Sequence, residues 1–240
     1  MEQLVNKLTD WIRECVLAAQ KSGVVLGLSG GIDSAVVAVL CKRAFPDTTL
    51  AVIMPCHSVE TDIEHAKAVA KKYRIYTEII DLDPVFDSFL HALPSFCEHQ
   101  DTEKLSQANI KPRLRMISLY YLATQFGYLV MGTGNRSELS TGYFTKYGDG
   151  GVDIMPLANL VKQQVRELAG YLDIPKEIIQ KPPSGGLWEG QTDEGELGMT
   201  YNDLDRYLTT GEAQDALKQR IESLKAASAH TRAMPQVPPF

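Results

Sequence analysis

The fold is decided by Leu26-Gly27-Leu28-Ser29-Gly30-Gly31-Ile32-Asp33-Ser34, where an apolar strand pattern ends and a helical pattern begins. Before it, Val24 to Leu28 form a short apolar run, and after it Asp33 to Phe45 carry the apolar spacing of a helix. The two adjacent glycines let the backbone approach an anion closely, and the free N–H groups at a helix start are donors for it. This stretch therefore predicts a strand, a phosphate-binding loop and a helix in succession.

The same alternation of strand and helix patterns continues along the chain. Strands are predicted at Leu50 to Met54, Ile75 to Ile80 and Tyr128 to Met131, and helices at residues 2 to 20, Glu60 to Tyr73, Arg113 to Phe126, Val161 to Leu172 and from Thr200 onward. Parallel neighbours need crossovers, and right-handed crossovers cover both faces of a sheet. The chain of 240 residues is thus predicted to be a single α/β domain with a doubly wound, Rossmann-like parallel sheet flanked by helices.

Composition excludes several classes of protein. The net charge of -6, from 30 acidic and 24 basic residues, argues against a nucleic-acid partner. The longest apolar runs, such as Ala35 to Cys41, are far shorter than the roughly 20 residues of a membrane span. Glu2 and Asp10 interrupt the pattern of a secretory signal, so a cytoplasmic location is expected. The four cysteines, Cys15, Cys41, Cys56 and Cys97, form no C-x-x-C pair, and we expect reduced thiols.

The loop at 29–34 differs from the common nucleotide-binding loops. It has neither the lysine of a Walker A loop nor the G-x-G-x-x-G spacing, and Asp33 stands where the phosphates would lie. A carboxylate beside phosphates is repulsive unless a divalent cation lies between them, which points to magnesium. The alternative is a tight turn at Ser29-Gly30-Gly31 followed by Asp33 as a helix cap.

A second loop of this kind follows the fourth predicted strand. It runs from Gly132 to Glu138 and brings Thr133 and Glu138 to the same edge of the sheet. A second carboxylate near Asp33 would complete a magnesium site, since this ion is commonly held by one or two carboxylates with phosphate oxygens and water. Helix capping by Asn135 or Ser137 is the alternative for this segment.

Several segments resemble a known family. Ser-Gly-Gly-x-Asp-Ser at 29–34 is similar to the pyrophosphatase loop of the adenine nucleotide alpha hydrolase-like superfamily, which includes NAD synthetases, GMP synthetases and tRNA-thiolating enzymes. Gly142-Tyr143-Phe144-Thr145-Lys146-Tyr147-Gly148-Asp149-Gly150-Gly151 closely resembles the signature of ammonia-dependent NAD synthetases. The segments at 111–116, 181–184 and 193–198 agree with that family as well.

The resemblance implies a reaction and a set of site residues. The reaction is the ATP-dependent amidation of deamido-NAD with ammonia, through an acyl adenylate, with release of AMP and pyrophosphate. The implied ATP contacts are Gly27, Leu28, Ser29, Gly30, Gly31, Ile32, Asp33, Ser34, Thr133, Lys162 and Ser184. The implied magnesium ligands are Asp33 and Glu138, which with Lys162 would be the catalytic groups. The implied deamido-NAD contacts are Arg113, Lys146, Asp153, His230 and Thr231, although Thr231 replaces the lysine expected after His230.

The resemblance also implies partners and motion. A homodimer is expected from it alone. Free ammonia is the expected nitrogen source because glutamine-using relatives carry an added amidase domain, and a separate glutaminase subunit is the alternative. Residues 184–198 are expected to form a mobile lid, since an adenylated intermediate must be kept from water, with an acidic surface loop as the alternative. Other functions left open are a GMP synthetase-like enzyme, a tRNA thiolase and a non-catalytic ATP-binding sensor.

Overall fold

The computed structural model describes residues 1–94, 96, 99–188 and 190–240, which form four strands and thirteen helices. The strands are β1 (Gly23–Gly27), β2 (Thr49–Ile53), β3 (Tyr76–Ile79) and β4 (Tyr128–Met131). The helices are α1 (Glu2–Ala18), α2 (Ile32–Ala44), α3 (Glu60–Tyr73), α4 (Asp83–Ala92), α5 (Gln100–Ala108), α6 (Ile110–Phe126), α7 (Arg136–Thr141), α8 (Lys162–Tyr171), α9 (Lys176–Gln180), α10 (Asp193–Leu197), α11 (Tyr201–Thr210), α12 (Asp215–Ala227) and α13 (Ala229–Arg232).

The four strands form one parallel sheet in the order β3-β2-β1-β4. Val25 in β1 pairs with Leu50 in β2 on one side and with Val130 in β4 on the other. The chain moves outward from β1 to β3 and then returns to the opposite side of β1 for β4. The strand order therefore reverses between β1 and β4, and the crevice at the carboxyl ends of such strands is the usual ligand site of open α/β sheets.

The hydrophobic core lies in two layers, one on each face of the sheet. Alternate residues of β1 point to opposite faces, so that Val24 and Leu26 join the cluster built with α1, α2, α3 and α8, while Val25 joins the cluster built with α4 and α6. Residues of β2 and β4 alternate in the same way. The predicted doubly wound architecture is confirmed, and each predicted strand lies within one residue of its observed bounds.

Several short or surface helices carry too weak a pattern to be predicted. Helix α5 buries only Ala108, and α12 buries only Ile221 fully, with Leu217 and Leu224 partly buried beside it, so each has at most a narrow apolar stripe. The predicted cap at Thr200 is confirmed, because its side chain accepts a hydrogen bond from the Asp203 N–H at the start of α11. Around it, the side chains of Leu197, Met199, Tyr201, Leu204 and Ile221 form a third, smaller cluster.

The structure describes three of the four cysteines. Cys41 and Cys56 are buried free thiols and Cys15 is a partly exposed one, whereas Cys97 lies outside the described residues. Burial raises the pKa of the Cys41 and Cys56 thiols, which keeps them protonated. Within the described ranges, none of the helices combines the length and the apolar character that crossing a membrane requires.

Candidate active site

A cavity of about 480 Å³ opens at the carboxyl edge of the sheet. Its walls come from the loops after β1, β2 and β4, from one face of α6, and from the segment at 181–196. Of the residues expected to contact ATP, all but Gly30 line it: Gly27, Leu28, Ser29, Gly31, Ile32, Asp33, Ser34, Thr133, Lys162 and Ser184. Glu138 lines it as well. The structure thus brings these ten residues and the second predicted carboxylate to one enclosed space.

The loop after β1 is held by its own serines. The Ser34 hydroxyl donates to the Gly31 carbonyl at 2.9 Å and lies 3.0 Å from the Ser29 hydroxyl. Gly30 has a φ of +79°, and a Cβ placed there would lie 2.2 Å from the backbone oxygen of Asp62. Only glycine fits this position, because both the conformation and the space exclude a side chain. The loop is therefore built around Gly30, although Gly30 itself faces α3 rather than the cavity.

Asp33 lies in the first turn of α2, but it makes no capping hydrogen bond there. Its carboxylate instead accepts from Lys162 Nζ at 2.5 Å and from Asn135 Nδ2 at 2.9 Å. Both partners come from parts of the chain more than one hundred residues away. The capping alternative for Asp33 is wrong, because the side chain points across the sheet edge toward the loop after β4.

Glu138 has a structural role and a cavity-facing role at once. Asn135 and Glu138 form a capping box at the start of α7, in which the Asn135 side chain accepts from the Glu138 N–H and the Glu138 carboxylate accepts from the Asn135 N–H. The other carboxylate oxygen of Glu138 accepts from Lys162 Nζ at 3.0 Å. Capping by Asn135, the alternative for this segment, is thus present together with the contact between Glu138 and Lys162.

Lys162 joins the two carboxylates. Its side chain is 2% exposed, and its ammonium group lies within 3.0 Å of both Asp33 and Glu138. Burial disfavours the charged ammonium, but the two carboxylates outweigh burial and raise the pKa of Lys162. Burial, opposed by the Lys162 charge, raises the pKa of Glu138 to about 7. The cluster is thus a buried cation shared by two acids, and burial holds the pKa of one of them, Glu138, above its ordinary value.

The donor set fits a magnesium ion only in company with phosphate. Asp33 and Glu138 have side chains that are 16% and 15% exposed, so both keep some access to the cavity. Within the described part of the chain, no group of three or more His, Cys, Asp or Glu residues is placed to hold a metal ion. Magnesium in proteins is commonly coordinated by one or two carboxylates, and phosphate oxygens and water complete its coordination shell.

The segment expected to form a lid covers one side of the cavity. Lys111 Nζ donates to the Leu187 carbonyl at 2.8 Å, and the Lys104 ammonium lies 4.6 Å from the centre of the Trp188 ring. The Tyr143 hydroxyl donates to Glu196 at 2.6 Å, which connects α10 to residues 142–151, the signature loop. These contacts show that the segment packs on the site rather than away from it. Its mobility stays a prediction.

Asp193, at the start of α10, lines the cavity and was not among the residues expected to act there. It is 4% exposed, one carboxylate oxygen accepts from the Tyr201 hydroxyl at 2.9 Å, and the other has no hydrogen-bond partner among the described residues. Burial raises the pKa of this carboxyl group. In the sequence Asp193 stands in an acidic run, which favours a surface loop, whereas in the structure it is buried against Tyr201, a member of the third cluster.

The residues expected to contact the dinucleotide lie outside the cavity lining. Arg113 donates to the Lys146 carbonyl, and Lys146 Nζ donates to the His230 carbonyl at 2.7 Å, so these three residues form one group. Thr231 is the neighbour of His230. Asp153 is separate from them, because its carboxylate accepts from the Tyr120 hydroxyl at 3.0 Å and from the Val130 N–H at 2.8 Å. The structure therefore brings together four of the five residues, on a surface beside the cavity.

Comparisons with known proteins agree on one family. The family model described as NAD synthase matches residues 4–236. The NH(3)-dependent NAD(+) synthetase of Carboxydothermus hydrogenoformans is 50% identical, over 99% of this chain and 97% of its own length. Among solved structures, NMN synthetase from Francisella tularensis has a TM-score of 0.94 and 39% identity, covering 100% of this chain and 98% of the other. NH3-dependent NAD synthetase from Campylobacter jejuni has a TM-score of 0.80 and 32% identity, covering 99% and 98%.

Proposed function

Because the chain belongs to the NAD synthase family, we propose that the cavity is the site of an ammonia-dependent, ATP-consuming ligase reaction. The enzyme is a ligase that makes NAD+ from deamido-NAD. In the proposed first step, a nicotinate carboxylate oxygen attacks the α-phosphorus of ATP, and the bond from that phosphorus to the bridging oxygen breaks to release pyrophosphate. In the second step, ammonia attacks the carbonyl carbon of the acyl adenylate, the bond to AMP breaks, and one proton is released.

The observation that carries this proposal is the shared position of Lys162 between Asp33 and Glu138 at the end of the phosphate-binding loop. Phosphoryl transfer requires mainly positioning and neutralisation of charge. Lys162 and the N–H groups of the loop at 29–34 would stabilise negative charge on the pyrophosphate as it leaves. Thr133 and Ser184, which both line the cavity, would add hydroxyl contacts to ATP.

Asp33 and Glu138 would hold magnesium between them and the phosphates. When bound, that ion would neutralise charge on the phosphate oxygens of ATP. Lys162 lies between the two carboxylates, and its positive charge offsets the repulsion between the two acids. The phosphates would then draw Lys162 toward themselves and free carboxylate oxygens for the metal.

Asp193 is the best-placed group for ammonia. An unpaired, buried carboxylate oxygen requires a hydrogen-bond donor, and leaving one unsatisfied costs about 1–3 kcal/mol. Ammonium is the one substrate whose heavy atom carries only donors, and Asp193 lines the same cavity as Lys162. A carboxylate at this position would bind ammonium and accept the proton that ammonium must lose before its nitrogen can attack.

Arg113, Lys146, His230 and Asp153 would hold the part of deamido-NAD that extends beyond the cavity. Arg113, Lys146 and His230 lie on the surface formed by the start of α6, the loop at 142–151 and the C-terminal residues, whereas Asp153 lies apart from them beside Tyr120. On the same helix, Ile117 and Tyr121 are 58% and 63% exposed. Apolar side chains exposed next to a ligand surface favour burial against another subunit, which supports the expected homodimer.

The direct test is a product assay with deamido-NAD, ATP, magnesium and ammonium. We expect NAD+, AMP and pyrophosphate in equal amounts, and a much lower rate when glutamine replaces ammonium. ADP as the nucleotide product would contradict the proposed chemistry. ATP binding without pyrophosphate release from any acid substrate would instead favour a nucleotide sensor.

A second acid substrate is favoured by one observation. The NMN synthetase of Francisella tularensis superposes with a TM-score of 0.94, against 0.80 for the Campylobacter jejuni NAD synthetase. We propose that nicotinic acid mononucleotide, the acid that corresponds to NMN, also reacts, although the 50% identity to a curated NAD synthetase favours the dinucleotide. Comparing kcat/KM for the two acids under identical conditions decides which is preferred.

A further inference from the structure

Helix α6 carries three cations in its first two turns, and they face in two directions. Lys111 and Arg115 are four residues apart and therefore share one face of the helix, while Arg113, two residues from each, points the other way. Arg113 is exposed on the surface beside the cavity, whereas Lys111 is buried and Arg115 is partly buried and lines the cavity. The deamido-NAD contacts that the family resemblance implies include Arg113 but not Arg115.

Arg115 uses only some of its hydrogen-bond donors inside the protein. Its Nε donates to the Met54 carbonyl at 3.1 Å, and one terminal nitrogen donates to the Ser58 hydroxyl at 3.2 Å. A guanidinium group has five N–H donors, so three are left for other partners. Both protein partners are neutral, and none of the ion pairs among the described residues includes Arg115.

The surroundings of Arg115 leave its charge without a direct counter-ion. Asp149 and Asp62 attract it through space, but neither carboxylate forms an ion pair with it. The neighbouring cation, Lys111, also contacts neutral groups: it donates to the Leu187 carbonyl and its ammonium group lies 5.5 Å from the centre of the Phe86 ring. Burial lowers the pKa of Arg115 and of Lys111, in keeping with this lack of acidic partners.

The hydrogen bonds from Arg115 to Met54 and Ser58 do not by themselves explain why this side chain is charged. A neutral amide side chain could donate to the Met54 carbonyl and the Ser58 hydroxyl without withdrawing a charge from water, which is costly when the charge is unpaired. An unpaired guanidinium at a cavity wall is the usual form of a site for a carboxylate or a phosphate. The Arg115 side chain extends from α6 to Met54, the residue after β2, and β2 is the neighbour of β1, which the phosphate-binding loop follows.

We propose that the guanidinium of Arg115 binds an anionic oxygen of a substrate inside the cavity, either a phosphate of ATP or a carboxylate or phosphate of the acid substrate. Arg115 is then a binding residue in addition to those that the family resemblance implies. The inference rests on the proposed function only in taking this cavity as the place where the substrates bind.

The first test compares Arg115→Gln with Arg115→Lys, using Arg13→Gln as the control because Arg13 lies on α1 and pairs with Asp10 at the surface. The dissociation constants of ATP and of deamido-NAD are each measured by calorimetry with the full-length protein. We expect Arg115→Gln to weaken one ligand by about 10- to 100-fold, as the loss of a charged hydrogen bond implies. Arg115→Lys, which keeps the charge but loses the paired donors, is expected to weaken the same ligand less.

The ligand that is weakened identifies the anion. Weaker ATP binding assigns a phosphate of ATP to Arg115, and weaker deamido-NAD binding assigns an anionic group of the acid substrate. If both variants fold and bind both ligands as the unaltered protein does, the proposal is wrong. These readouts require no turnover, so an absence of NAD+ formation would contradict the proposed function without affecting the test of Arg115.

A second measurement uses the unaltered protein and so does not depend on whether the variants fold. Phenylglyoxal modifies accessible guanidinium groups, and mass spectrometry of peptides reports the rate at each arginine. We expect ATP or deamido-NAD, added alone, to slow modification of Arg115 at least 10-fold and to leave Arg13 unchanged. Equal rates at Arg115 with and without saturating amounts of each ligand would overturn the proposal.

Discussion

Replacing Asp33 by Asn removes one of the two acids that share Lys162, and the structure gives the expected magnitudes. The amide can still accept a hydrogen bond from Lys162, but it carries no charge for a metal ion or for the ammonium group 2.5 Å away. Loss of a single preorganised charge-stabilising group typically costs roughly 100- to 1,000-fold in kcat, or about 2.7–4 kcal/mol. We expect the rate of pyrophosphate release to fall by that factor.

The fold is expected to survive this substitution. Breaking a buried ion pair costs about 3–5 kcal/mol when it leaves a charge without a partner. Here Glu138 remains 3.0 Å from the same ammonium group, so Lys162 keeps a counter-ion. Asp33 is also one of the groups that raise the pKa of Glu138, so its removal lowers that pKa and favours the ionised carboxylate. The loss of unfolding free energy should therefore be less than about 3 kcal/mol.

The assay measures AMP and pyrophosphate at saturating ATP, deamido-NAD and ammonium, together with the unfolding free energy from urea denaturation. Asp10→Asn is the matched control, because Asp10 pairs with Arg13 on the exposed face of α1, where such pairs contribute about 0–1 kcal/mol. An Asp33→Asn enzyme that turns over at the unaltered rate would refute the catalytic role of the cluster. A variant that fails to fold would refute the view that Glu138 alone can neutralise the buried positive charge of Lys162.

Three further predictions follow from individual side chains. Burial raises the pKa of Glu138 to about 7, against 4.5 for an ordinary glutamate, so the folded state holds a proton that the unfolded state has lost between these pH values. The unfolding free energy should therefore fall as the pH rises from 4.5 to 7, and Glu138→Gln should flatten this pH dependence. Asp193→Asn should raise the KM for ammonium about 10-fold or more and leave the KM for ATP unchanged, which initial rates can check. Gly30→Ala should abolish ATP binding in calorimetry, because its Cβ would meet the Asp62 backbone, whereas Gly170→Ala, where the Cβ meets nothing within 4 Å, should not.

The sequence predicts the sheet, the phosphate-binding loop and the approach of Asp33 to Glu138 because these features follow from local patterns and from strand direction. The run at 24–34 has a strand, two glycines and a helix start in succession, and each of them is visible in residue order. The carboxyl ends of parallel strands meet at one edge, which is enough to predict that Asp33 and Glu138 approach each other. Their contact through Lys162 depends on α8 packing against α2, and no local pattern encodes that contact.

The rest of the site depends on side-chain direction and on burial. Arg113 and Arg115 are equally basic in the sequence, and only the orientation of α6 against the sheet decides which one faces the cavity. Asp193 belongs to an acidic run that is typical of a surface loop, yet Tyr201 and the third cluster bury it. The homodimer, the magnesium ion, the movement of residues 184–198 and the cytoplasmic location stay predictions, because they concern partners or states outside a single chain.

The most direct test of the central claim follows oxygen atoms from the acid to the nucleotide. Deamido-NAD labelled with 18O in both carboxylate oxygens is converted with unlabelled ATP and ammonium, and the products are analysed by mass spectrometry. An acyl adenylate predicts one 18O atom in AMP, one in the amide of NAD+ and none in pyrophosphate. AMP without the label, or label in inorganic phosphate, would contradict adenylation of the carboxylate in this cavity.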